Sequence, residues 1–103
     1  ASWFVTDTRG VQIARSPESS TIGQNYAWRS YFHGGARDRE RDWRGNDGSP
    51  LRRTHLSAVY RSQSTKHWSV AISTPIRKQD GSQEFLGVLA LTFEVGKNLI
   101  HLE

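Results

Sequence analysis

Residues 85–95, Phe-Leu-Gly-Val-Leu-Ala-Leu-Thr-Phe-Glu-Val, limit the possible folds more than any other stretch of the chain. Read as a strand, they are apolar on both faces of the pleat. Phe85, Leu89, Leu91 and Phe93 fall on one face, and Leu86, Val88 and Ala90 on the other. Such a strand is predicted to run through the middle of a sheet, and each sheet face then needs a cover.

The rest of the chain supplies neighbours for it. Trp3 to Thr6 alternates in strand fashion, Asp7-Thr8-Arg9-Gly10 reads as a turn, and Val11 to Arg15 resumes the alternation. His55 to Ser62 and His67 to Ile76 are predicted strands joined through Gln63-Ser64-Thr65-Lys66. Asn25 is predicted to cap a short helix over Tyr26 to Phe32, which Gly34-Gly35 ends. Gly35 to Arg53 reads as a polar excursion loop, with Asn46-Asp47-Gly48-Ser49-Pro50 as its turn, and a short helix is expected from Gly96. The sum is one α+β domain over residues 1–103: a five-stranded antiparallel sheet with a short helix and a long loop on one face. The second face is expected to be covered by a helix preceding Ala1 or by a partner subunit, a homodimer being the simplest case.

Composition narrows the function classes. The chain has 103 residues and no cysteine, which excludes thiol catalysis, disulfides and thiolate zinc sites. His33, His55, His67 and His101 show no metal-ligand spacing, and no cofactor is expected. No apolar run approaches the roughly 20 residues of a membrane helix. The chain starts without Met and is read as a piece of a longer protein, with Leu102-Glu103 either native or a cloning remnant. Net charge is +4, but Arg37, Arg39, Arg41, Arg44, Arg52 and Arg53 are interleaved with Asp38, Glu40, Asp42 and Asp47. Mixed signs make a poor phosphate track, so this stretch reads as a solvated loop with local ion pairs, and nucleic acid is not expected as a partner even with Trp43 nearby. Ser57 and His55 lie two apart on a strand, but no orienting acid or nucleophile elbow accompanies them, so an enzyme is not expected.

The chemistry concentrates in Asn25-Tyr26-Ala27-Trp28-Arg29-Ser30-Tyr31-Phe32-His33, where one guanidinium sits among four aromatic rings. A planar fork of donors held against rings beside a sheet can grip a small carboxylate. The alternative is a structural pair between Arg29 and an acid of the long loop. Tyr31 reads as either a ligand contact or core, and Phe32 as core.

In order and spacing, several segments resemble the Cache domains, PAS-like extracytoplasmic sensors of bacterial chemoreceptors, histidine kinases and serine/threonine kinases. They are the hairpin Phe4 to Ala14, Arg29-Ser30-Tyr31-Phe32, Val59-Tyr60-Arg61-Ser62-Gln63-Ser64-Thr65, Ala71-Ile72-Ser73-Thr74-Pro75-Ile76 and Leu86-Gly87-Val88-Leu89-Ala90-Leu91-Thr92-Phe93. The phrasing of His55 to Tyr60 is most similar to Cache domains of bacterial serine/threonine kinases. The resemblance implies a ligand pocket between the sheet and residues 16–53, lined by Arg29, Tyr31, Tyr60, Ser62 and Thr92, with Trp28 beside it. It also implies a periplasmic or extracellular position on a membrane-anchored parent. Amino-acid-binding relatives carry Asp where this chain has Ser62 and Thr92, so the implied ligand is a small organic acid without an amine. Glu94 shares a face with Thr92 and is expected to be solvated. The other reading kept open is a Cache domain that binds no ligand and serves structure or dimerisation.

Overall fold

The computed structural model of the protein describes residues 2–45 and 51–95; the turn at 46–50, the helix expected from Gly96 and the Leu102-Glu103 end lie outside them. Six strands form one antiparallel sheet: β1 (Ser2–Thr6), β2 (Gln12–Ser16), β3 (His55–Leu56), β4 (Tyr60–Arg61), β5 (Trp68–Arg77) and β6 (Phe85–Glu94). The order is β2-β1-β6-β5-β3, with β4 also on β5. The strand that is apolar on both faces does lie between two others. β6 pairs with β1 from Ser2↔Thr92 to Thr6↔Val88 and with β5 from Ser69↔Glu94 onward.

Two elements differ from the sequence-based expectation. The single strand expected over His55 to Ser62 is broken at residues 57–59. Ser57 keeps contact with β5, its N–H donating to the Ala71 carbonyl at 2.8 Å and its hydroxyl accepting the Ala71 N–H at 2.8 Å. The Ala58 N–H then leaves the ladder and donates to the Ser30 hydroxyl at 2.9 Å. A side-chain partner on the opposite layer has displaced a ladder bond. The helix is also shorter than expected: α1 covers Ser30–His33 alone. Asn25 does not cap it. The Asn25 carboxamide closes a local turn instead, accepting the Ala27 N–H at 2.8 Å and donating to the Arg9 carbonyl at 3.0 Å. Gly34 ends α1 in the left-handed conformation, as the Gly-Gly pair implied.

The inner sheet face carries the core. Small residues on it, Ala71, Ser73 and Ala90, let the aromatic layer settle close, and the Ser73 hydroxyl donates to the Tyr31 carbonyl at 2.7 Å. Phe4 packs on Tyr31 with ring centroids 4.8 Å apart, Tyr31 on Tyr60 at 5.6 Å and Phe32 edge-on against Phe85 at 6.1 Å. Each buried ring contributes about 2–3 kcal/mol of apolar burial. Phe32 is core, as expected. The free edge of β2 is covered by residues 23–25: Gly23 and Gln24 exchange backbone bonds with Gln12, and Asn25 bridges Val11.

The outer face is different. Trp3, Ile72, Leu89, Leu91 and Phe93 form a neighbouring set, 40% to 48% exposed. The expectation that β6 is buried on both sides therefore holds for one face only among the described residues.

β2 also carries a bulge. Val5 pairs with Ala14 and Thr6 with Gln12, so Ile13 is an extra residue. It shifts the alternation by one. Gln12 and Arg15, three apart in sequence, are both buried, while Ile13 is exposed.

Candidate functional site

A small cavity lies between the inner face of β1, β2 and β6 and the segments around Tyr26–Tyr31 and Tyr60–Ser64. Its volume is about 20 Å³, room for one water molecule. Five of the six residues expected from sequence line it: Arg29, Tyr31, Tyr60, Ser62 and Thr92. Trp28 does not. Its ring lies instead under the Arg29 guanidinium, 4.2 Å from centroid to Cζ.

Arg29 is held in place from several sides. It is 6% exposed. Its Nη1 donates to Asp38 Oδ2 at 2.8 Å and its Nη2 to the Arg61 carbonyl at 3.1 Å. Its Cζ stands 4.6 Å from the Tyr60 ring centroid. Asp38 does double work: its other oxygen accepts the Ser30 N–H at 2.8 Å, satisfying the open end of α1. The loop acid weighed as a structural partner for Arg29 is thus present. Apart from Asp38, the described charged residues of this stretch are exposed, as expected of a solvated loop. Trp43 is half-buried, edge-on to His33 at 5.1 Å, with Arg39 over its ring at 5.3 Å.

The tyrosines stay neutral. Burial pushes the Tyr60 hydroxyl up to about 12, with Arg29 pulling the other way. Burial raises Tyr31 well above the usual phenol range, assisted by Tyr60 and opposed by Arg29. Both are O–H donors at neutral pH, and neither hydroxyl has a hydrogen-bond partner among the described residues. Tyr26 completes the ring of phenols and donates to Gln63 Oε1 at 3.0 Å. Ser62 caps the turn that follows β4, its hydroxyl accepting the N–H groups of Ser64 and Thr65. The Thr92 hydroxyl bonds that of Ser2.

Several lining residues were not singled out from sequence. The foremost is Arg15, 9% exposed. Its Nε donates to the Pro17 carbonyl at 2.6 Å and its Nη1 to Thr21 Oγ1 at 3.2 Å, and Thr21 passes the bond on to Gln12 Oε1 at 2.7 Å. The bulge at Ile13 puts Arg15 here, and plain alternation hides it by grouping Arg15 with Ile13. Among the described residues, the lining contains two guanidiniums and no carboxylate. Such a cavity favours an anion and disfavours an ammonium group.

Two other sequence features are used elsewhere. The Ser57 hydroxyl is taken up by backbone, accepting from Ala71 and donating to the Ala58 carbonyl at 2.8 Å. Glu94 lies outside the cavity lining, half-exposed and 2.9 Å from His67 Nδ1. No protein-family model and no curated protein sequence matches the chain.

Proposed function

We propose that the chain is a PAS-like, Cache-type sensor domain whose cavity takes a small carboxylate. In this reading it is the extracytoplasmic part of a membrane-anchored signalling protein such as a kinase or chemoreceptor. One observation carries the proposal: residues from distant segments, 29–31, 60–62 and 92, meet at one cavity whose described lining holds two buried cations and no acid. The lack of acid argues against α-amino acids, whose ammonium group would go unpaired.

The mechanism follows from size. The cavity holds one water, so a two-carbon acid must displace the rim at Ser62–Ser64. Filled and empty states then differ in the turn between β4 and β5, and β5 carries that difference to β6. Ligand can bias the two states only by its differential affinity for them. Thermal unfolding in formate, acetate, propionate, glycine and alanine tests the reading. The acids are expected to raise the midpoint, by the equivalent of about 2.7 kcal/mol at a hundredfold excess over Kd. Glycine and alanine are expected to leave it unchanged. No response to any acid overturns the reading.

The small size of the cavity favours a second reading, a module of the same fold that binds no small molecule and serves assembly. It gains support if every acid fails and the domain self-associates.

A further inference from the structure

Two buried arginines line the cavity, and they are not equivalent. Arg29 has its counter-ion: Asp38 neutralises it at 2.8 Å, and its second terminal nitrogen is taken by the Arg61 carbonyl. A guanidinium already paired with a carboxylate gains little from a second one. Arg15 has no acid. Its Nε and Nη1 reach a carbonyl and a hydroxyl, both neutral, and its Nη2 has no partner among the described residues. An unpaired cation that is nine-tenths buried is costly, and an anion beside it removes that cost.

We propose that Arg15, rather than Arg29, is the side chain that neutralises the bound anion, and that the anion is a carboxylate of one to three carbons without an amine. The inference rests on the reading of this cavity as the ligand site. Arg15 Nη2 supplies the charged donor. The hydroxyls of Tyr31 and Tyr60, on the same cavity and without partners among the described residues, supply neutral donors to the carboxylate. Gln12 and Thr21 hold the guanidinium in place through the hydroxyl relay at 3.2 and 2.7 Å. Arg29 then acts as a positioning residue: it fixes the Tyr60 ring and the loop that closes over it. The bulge in β2 becomes a functional device, since regular alternation running through Ile13 would place Arg15 on the outer face.

The test compares the wild-type protein with Arg15→Gln and Arg15→Lys in sodium acetate at constant ionic strength, sodium chloride serving as the balance. Acetate is expected to raise the wild-type unfolding midpoint. In Arg15→Gln the acetate Kd is expected to rise by about tenfold or more, the loss typical of a charge-assisted hydrogen bond. Arg15→Lys is expected to keep part of the response. Without acetate, Arg15→Gln should unfold no more easily than the wild type, because its loss orphans no acid; a merely structural arginine would give the opposite. A wild-type response retained in full by Arg15→Gln overturns this assignment and leaves the cavity reading standing. No wild-type response to acetate, formate or propionate overturns both. Should Arg15→Gln fail to fold, titration of ¹⁵N-labelled wild-type protein decides the matter. The Arg15 Nε–H resonance is expected to move with acetate, and movement of Arg29 alone overturns the proposal.

Discussion

Asp38 shows how much one side chain in a polar loop can carry. Both its oxygens are engaged, one by a buried guanidinium and one by the first N–H of α1. Removing it leaves Arg29 buried and unpaired. Asp38→Ala is therefore expected to lower stability by about 2–3 kcal/mol, somewhat less than breaking a fully buried pair, because Asp38 is partly exposed. Asp42→Ala, in the same loop but exposed, is expected to stay within about 0.5 kcal/mol. Urea unfolding of the two variants checks the contrast. His33 is a second residue whose role is set by its bonds. Its Nδ1 accepts the Gly35 N–H at 3.0 Å, so the proton sits on Nε2, facing the Trp28 carbonyl at 3.2 Å. Burial lowers its pKa below the ordinary 6.5, a shift the Trp28 carbonyl opposes and Arg39 reinforces. The unfolded chain then binds a proton more readily than the folded one. Stability is full above the ordinary histidine pKa and is lost as pH falls through the lowered one. The His33→Asn variant, whose carbonyl can still accept from Gly35, is expected to lose less stability between about pH 7 and about pH 5 than the wild type. Equal slopes for the two proteins would refute this account.

At the scale of elements, the junction of β1 and β6 is the tightest point. A Cβ on Gly87 would lie 2.0 Å from the Thr6 carbonyl oxygen, and Gly87 has φ +154°. Gly87→Ala is expected to destabilise by about 3 kcal/mol or more, since backbone must move. Gly81, at φ +88° in the β5–β6 turn, has nothing within 4 Å, and Gly81→Ala is expected to cost only about 1 kcal/mol. Thermal unfolding separates the two. The central place of β6 was legible because a doubly apolar strand has few other positions available. That five of the six candidate residues line one cavity was legible through the resemblance, since β4 and β6 keep simple alternation there. What was not legible depended on a partner far away in sequence. The break at Ser57 needs Ser30 opposite it, and the short α1 follows from Asn25 bonding Ala27 and Arg9 in place of a helix end. Arg15 was hidden because one inserted residue, Ile13, reverses the parity of everything after it. Ile13 is an ordinary strand residue with no mark of a bulge.

For the whole molecule, the asymmetry of the sheet matters most. Its inner face is filled with rings, while its outer face leaves Leu91 48% and Phe93 41% exposed. The folded domain is expected to bind a hydrophobic dye such as anilinonaphthalene sulfonate. The double substitution Leu91→Thr, Phe93→Thr keeps β-formers in place and is expected to remove most of that fluorescence without lowering the unfolding midpoint by more than a few degrees. Unchanged dye binding would place the apolar surface elsewhere. The register of the sheet has a further effect. Ser2 lies beside Thr92, 90 residues later. During synthesis at about 5–20 residues per second, the first hairpin is complete roughly 4–16 seconds before the strand it must lie against. Until then the inner edge of β1 has no strand to pair with, and the cavity that Arg15 lines is incomplete. The ribosome delivers the keystone last, so this domain assembles after translation of its final strand rather than along the way.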